Sequence, residues 1–377
     1  MDATELRRAR AHAQGIDLPA RFGSTAEVVR HMVGLQAQDE RAVALAVRAR
    51  THGLTAADST APVDDGTCVA TWTLRGTRHV HAVEDVRPLL TLLAGRWLCS
   101  TRRAADLGID GAVGTRAVSA LRAALAGGPL TRDDVKEVLA PVGVDPDGQA
   151  PIHVIRRAAL EGLLCILPGP VERYVPLDDV VPPARAVDPD DVAVDLARRH
   201  LASSGPAGPE DLAAWSGLPV QVARRAWHAL SGEVVEVGLP ARSAWVLRRH
   251  ERTARRAASA PLGCRFLGGF DALLLAYADR SLHVPDGRSR DVNAGGGLVR
   301  PVVAVDGRVV GTWRTTGPSP ARTVEVRPFE DLAAHTAALE REAAGVGGFL
   351  DGTPYHLVVE SEPARAETGR KTDEPPA

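Results

Sequence analysis

A recurring order of helix, tight turn, helix and two-stranded hairpin constrains this chain more than any other feature. Its clearest copy occupies residues 210–249. Glu210 to Ser216 reads as a short helix stopped by Gly217, and Pro219 suits the first turn of the next helix. In that helix Val222, Ala223, Ala226, Trp227 and Leu230 form one apolar stripe, with Arg224, Arg225 and His228 largely on the other side. EVVEV (233–237) and SAWVLRR (243–249) read as two strands around GLPAR. Helix–turn–helix plus hairpin is a winged helix.

A second copy spans about 130–176. Thr131 can cap a helix through DDVKEVL, PIHVIRRAALEGL (151–163) gives the next helix, and LLCIL and RYVPL are strands around PGPVE. Arg-Arg-Ala stands at 156–158 and again at 224–226, at the same place in both units. A looser copy lies at the N-terminus. TAEVVRHMVGL (25–35) and ERAVALAVRAR (40–50) have helical spacing, CVATWTL (68–74) and RHVHAV (78–83) are strands joined by RGT, and a helical stretch, 85–107, follows. Region 262–350 differs. There, Asp306-Gly307 between alternating apolar runs signals a type I′ hairpin, and a helix is expected over 328–344. The expected fold is therefore α+β: winged-helix units over 1–110, 111–185 and 186–258, then a β-rich C-terminal element over 259–358. The tail, 359–377, has almost no large apolar residue and reads as disordered.

A chain of 377 residues buries a large core without disulfides or metals. Cys68, Cys99, Cys165 and Cys264 lie far apart with no C-x-x-C pair, so they read as reduced thiols filling core space. His79 and His81 form an isolated H-x-H, a weak metal signal, and no metal or cofactor is expected. No run of about 18 apolar residues occurs, and the charged N-terminus lacks a signal-peptide apolar region; a cytoplasmic monomer without a membrane partner is expected. Bases number 45 and acids 47, so charge alone does not advertise nucleic-acid binding. Yet 43 of the 45 bases are arginine, the residue suited to bidentate contact with phosphate and guanine.

Three stretches could carry chemistry. In GLQAQDE (34–40), Gln36 and Gln38 stand at i and i+2 between two expected helices, and in extended chain they point the same way. A glutamine is no general base, but its carbonyl can hold a water while its NH₂ grips a phosphate or sugar oxygen. Helix capping or an exposed polar turn accounts for the same spacing. In TWTLRGTRHVHAVED (71–85), Arg75, Arg78, His79 and His81 cluster on a hairpin. Residues 242–256 hold six arginines against Glu251, a pattern that fits a solvated helix face or phosphate contact. No G-x-S-x-G, P-loop or strand-to-helix G-x-G-x-x-G occurs. The run Gly295-Gly296-Gly297 reads as a flexible loop, and the segment 286–297, with Arg288, Arg290 and Asn293, is expected near DNA.

The strings GLQAQDERAVALAVRAR, WTLRGTRHVHAVED and LGGFDALLLAYADR…VDGRVVGTWR occur in this order. Over about 5–355 the chain resembles the bacterial AlkZ/YcaQ family of winged-helix DNA glycosylases. The resemblance implies a C shape around a DNA channel and excision of N7- or N3-alkylated purines from double-stranded DNA. Bulky adducts and interstrand crosslinks from natural alkylating agents are included. The family's catalytic signature, glutamine–apolar–glutamine, is matched by Gln36-Ala37-Gln38; the Gln-x-Asp of the YcaQ branch is not. DNA contacts are expected from Arg75, Arg78, His79, Arg280, Asn293 and Arg314. The chemistry is consistent with amides. An N7-alkylated purine is cationic and leaves readily, so the enzyme need only place a water and stabilise charge beside the sugar. Asp39 is the rival base. The competing reading is a winged-helix DNA-binding protein, regulatory or architectural, with no chemistry; the amide pair favours the monofunctional glycosylase.

Overall fold

The computed structural model describes residues 1–17, 19–98, 102–167, 169, 171–238, 243–318 and 321–360. The expected disordered tail beyond 360, and Cys99, lie outside the described residues. The fold is mixed α+β.

Local capping sets the helices of the N-terminal segment. Asp2 and Glu5 form a capping box for helix Ala3–Ala13, Ser24 caps Thr25–Met32, and Asp39 caps Glu40–Arg48. The hairpin Cys68–Trp72/Arg78–Ala82 follows, and Leu35–Gln36 adds to its outer edge. Thr131 and Asp134 start helix Arg132–Leu139 with a capping box; Ala150–Leu160 and the hairpin Leu164–Leu167/Arg173–Pro176 complete the second pattern. The two hairpins join edge to edge through Ala70 and Ile166 into one five-stranded sheet, whose order runs Leu35–Gln36, Arg78–Ala82, Cys68–Trp72, Leu164–Leu167, Arg173–Pro176. A single apolar core containing Val28, Val69, Leu121, Ile155 and Leu164 lies beneath it.

The third pattern has its own two-stranded hairpin, Val234–Glu236/Trp245–Leu247. Helix Pro209–Ser216 stops at Gly217 in the left-handed region (φ 82), as read from sequence, while Pro219 is the N-cap of Val220–Ala229 and not its first turn. Ala223, Ala226, Trp227 and Leu230 are buried, and Arg224, Arg225 and His228 are exposed. The arginine-rich stretch forms helix Glu251–Ala258, which packs Ala254, Ala257 and Ala258 inward and turns Arg252, Arg255 and Arg256 to solvent.

The C-terminal sheet runs His356–Val359, Thr323–Pro328, Arg308–Thr316, Val302–Val305, Cys264–Leu267, its first pair parallel and the rest antiparallel. Asp306 and Gly307 both have positive φ (50 and 74), the type I′ requirement. The helix expected over 328–344 is displaced to Thr336–Asp351. Val324, Val326 and Pro328 are buried in alternation with more exposed neighbours, so a period of two takes the chain through Pro328 as strand. Buried ion pairs tie this element to the first segment, Arg50 to Asp271 and Arg48 to Glu342, and Arg265 shares Glu342 from within the element. Cys68, Cys165 and Cys264 are buried free thiols, their pKa values pushed up to about 11, 12 and 12 by burial. Among the described residues no helix is long and apolar enough to cross a membrane.

Candidate active site

Gln36 and Gln38 lie where the chain leaves one helix and enters the next. Val33 turns into the left-handed region (φ 60) to end Thr25–Met32, and Leu35 and Gln36 then pair with Val80 and His79. Strand alternation buries Leu35 and Ala37 and presents both glutamines to a cleft of about 750 Å³. Arg78 fixes the register: its backbone carbonyl accepts from Ala37 N at 2.8 Å and its Nε donates to the Ala37 carbonyl at 2.6 Å.

The amides are held in one orientation. Arg75 Nη2 donates to Gln36 Oε1 at 2.5 Å, and Gln36 Nε2 donates to Gln38 Oε1 at 2.5 Å. Arg75 Nη1 donates to the Trp215 carbonyl, at the end of helix Pro209–Ser216. Arg75 itself stands in the left-handed region (φ 53, ψ 15), an uncommon backbone state for a non-glycine residue. Burial, and to a lesser degree the nearby Arg280 cation, pushes its guanidinium pKa down to about 10. Across the cleft, Arg280 Nη1 donates to Asn293 Oδ1 at 2.5 Å, and burial lowers its pKa as well. Phe270, also at positive φ (58), and Leu298, half exposed, supply the apolar wall. Asp39 borders the same cleft, with Oδ1 engaged as a helix cap by Arg41 N at 2.9 Å. Among the described residues, no group of His, Cys, Asp and Glu is placed to hold a metal.

The family model "DNA glycosylase AlkZ-like" matches residues 29–349, which include every group named above. The chain belongs to the AlkZ-like family. A curated relative, the interstrand DNA cross-link repair glycosylase of Streptomyces sahachiroi, is 30% identical over 344 residues, spanning 86% of this chain and 90% of the relative. The solved structure of Streptomyces sahachiroi DNA glycosylase AlkZ superposes with a TM-score of 0.80 at 25% identity, over 96% of this chain and 100% of that one.

Within this AlkZ-like chain, the residues singled out from sequence fall into three groups. Gln36, Gln38, Arg75, Arg280 and Asn293 line one cleft, although up to 257 positions separate them in sequence. Arg78 is ion-paired with Glu172, and Arg314, on the neighbouring groove, is exposed and paired with Glu325 at 2.8 Å. His79 corrects the expectation of a DNA contact: it is 2% exposed, directly opposite Gln36 on the neighbouring strand, and donates from Nδ1 to the Thr77 carbonyl at 3.0 Å. Burial holds its pKa well below the usual histidine range, so it is neutral and out of reach of a phosphate. The segment 286–297 is likewise more ordered than a glycine loop. Ser289–Val292 is a helical turn, and Asn293–Gly295 pairs with Leu298–Val299 as a hairpin on the cleft wall. Three successive positive-φ glycines make its turn (89, 58 and 82). Sequence reading missed the Trp215 carbonyl and Phe270. The GGF string around Phe270 was visible, but nothing in it announced a left-handed phenylalanine.

Proposed function

We propose that this chain is a monofunctional DNA glycosylase that removes N7- or N3-alkylated purines from duplex DNA, bulky adducts and crosslinks among them. The observation that carries the reading is the locked amide pair in the open cleft. With Gln36 Oε1 bonded to Arg75 and one Gln36 Nε2–H to Gln38, the Gln38 NH₂ and the second lone pair of its Oε1 remain for the cleft, beside the second N–H of Gln36. Those two suit a water and a sugar or phosphate oxygen. A cationic purine needs no proton to leave, so positioning and charge stabilisation suffice. The cleft's breadth suits a lesion too bulky for a snug base pocket, and the cross-link repair activity named for the Streptomyces sahachiroi relative agrees with it.

In this proposal the three helix–helix–hairpin patterns act as winged helices in a C-shaped frame around the duplex, with units over 1–110, 111–185, 186–258 and 259–358. Arg280, Asn293 and Arg314 contact DNA. Arg75 and Arg78 position the motif, because their guanidiniums bond its own atoms, Gln36 Oε1 and the Ala37 carbonyl. The test is incubation with a duplex carrying one N7-methylguanine, followed by alkali. The reading expects strand scission only after alkali, and far less of it with Gln36→Ala/Gln38→Ala. Duplex binding without base release would assign the chain to the non-catalytic alternative.

A further inference from the structure

Behind the turn that carries Arg75 lies a small notch of about 60 Å³, lined by Trp97, Arg103, His153, Arg156 and Arg157 with apolar neighbours. Two donors in it have no partner among the described residues. Arg156 makes no hydrogen bond or ion pair to any described residue, and its Nε is fully buried. The Trp97 indole Nε1–H is also buried, with no acceptor among the described residues. Neighbouring charge does not compensate: Arg103 is bonded to the neutral Gln149 amide, and Arg157 holds the nearby carboxylate, Glu161, at 2.8 Å. A buried donor without a partner costs stability, and an uncompensated cation costs more. Such an arrangement persists where something outside the chain supplies the acceptor.

The chemistry of that acceptor is readable from the notch. The Arg156 guanidinium and the Trp97 indole N–H, with Arg103 and Arg157 beside them, favour an anion rich in oxygen. At about 60 Å³, against about 750 Å³ for the main cleft, the notch suits phosphate oxygens better than a base. The place is telling as well. A side-chain carbon on Gly76 would lie 2.7 Å from Arg156 Nη2 and 2.8 Å from the Trp97 ring, so both pack directly on the residue following Arg75. From this geometry we infer that Arg156 and Trp97 form a phosphate-binding notch that grips a DNA backbone phosphodiester flanking the lesion. The site rests on the glycosylase reading and adds to it an anchor shared by the first two units, packed on the residue that follows the group orienting Gln36.

The test measures binding of the full chain to an undamaged, fluorescently labelled duplex across a sodium chloride series. Arg156→Gln lowers affinity roughly tenfold at low salt and reduces the log–log salt slope by about 1. Its melting temperature stays level or rises, because a half-buried cation without a partner has been removed. A purely structural arginine would instead lower the melting temperature and leave the slope alone. Trp97→Phe keeps the ring and deletes the donor; it weakens binding with the slope unchanged, which keeps the test alive if Arg156→Gln folds poorly. An unaltered slope for Arg156→Gln, or full affinity for Trp97→Phe, overturns the inference. So does thermal protection by inorganic phosphate that Arg156→Gln abolishes while DNA binding is untouched, which marks a free-anion site. Failure of the unmodified chain to bind duplex at all brings down the glycosylase reading with it.

Discussion

Gln36 cannot turn its amide over without setting its NH₂ against the Arg75 guanidinium, donor to donor. The assignment of its oxygen and nitrogen therefore follows from chemistry, and so does the direction of every bond beyond it. Gln36→Ala or Gln38→Ala should leave folding and DNA affinity nearly intact and slow excision roughly 10- to 1,000-fold, the range for losing one positioning or charge-stabilising group. Single-turnover release of N7-methylguanine measures this. Asp39→Asn in the same assay tests the rival carboxylate. Full activity in the double glutamine variant, with Asp39→Asn inactive, would move the chemistry to Asp39. Arg75→Lys tests orientation separately. A lysine keeps the charge but cannot bridge Gln36 Oε1 and the Trp215 carbonyl with a rigid fork. Single-turnover excision should fall about tenfold or more while duplex affinity holds; equal losses in both would show that the Arg75 guanidinium contacts DNA, and no loss in either that Arg75 acts as a charge alone.

At the scale of elements, the Leu74–Gly76 turn is a meeting point. A Cβ on Gly217 would lie 2.9 Å from the Trp97 ring and 3.0 Å from Arg75 Cα, so helix Pro209–Ser216 ends directly against the turn. Gly217 also has φ 82. Gly217→Ala combines a left-handed alanine with a backbone collision, and should cost about 2 kcal/mol or more. Gly53→Ala, at φ 71 in open space, is the control and should cost about 1 kcal/mol. Urea titration compares the two, and only Gly217→Ala should slow excision, through Arg75. Equal destabilisation would mean that the contact with the turn is immaterial. These elements were largely readable because their signals are local. The 210–249 stripe, the Thr131 cap and Asp306-Gly307 each concern residues within a few positions of one another. The merging of two hairpins through Ala70 and Ile166 was not readable, since one backbone pairing across 96 positions leaves no mark in either strand's pattern. The same limit hid the partners of Arg75. A cluster of bases on a hairpin looks solvated until Trp215 and Gln36 arrive from elsewhere. His79 misled because strand alternation gives two faces and cannot say which is covered.

The whole molecule is held together by charges and histidines kept from water, and that makes its stability depend on pH. Burial pushes the pKa values of His31, His81 and His200 down to about 4, and holds His79 low as well. Each is bound as the neutral ring: His81, for one, donates from Nδ1 to the Val33 carbonyl at 2.8 Å and accepts at Nε2 from Thr73 Oγ1 at 2.6 Å. Their folded pKa values lie below the unfolded value of 6.5, so the stability they contribute is complete above that pH. It is lost as pH falls from 6.5 toward 4, at up to about 1.4 kcal/mol per pH unit for each ring. Calorimetry at constant ionic strength should show a melting temperature level from pH 8 to 7 and falling steeply below 6; a flat profile to pH 5 would contradict this. The deepest joint is ionic. Arg50 and Asp271, both fully buried, are paired through two bonds of 2.8 and 2.9 Å, and Arg50 gives its other donors to Gln14 and Ala46. Asp271 also accepts from Leu273 N at 2.9 Å and directly follows Phe270, so the joint that fastens the C-terminal element also sets one wall of the cleft. Asp271→Ala strands a guanidinium in the interior and should cost about 3–5 kcal/mol, whereas Arg50→Met/Asp271→Leu, which removes both charges, should recover much of that loss. Excision should not recover with stability, because the double variant lacks the carboxylate that caps the turn after Phe270. A double variant that is both stable and fully active would show that the ion pair fixes only the fold; one that is stable and slow would place the positioning of Phe270 in the same bond that holds the two ends of the chain together.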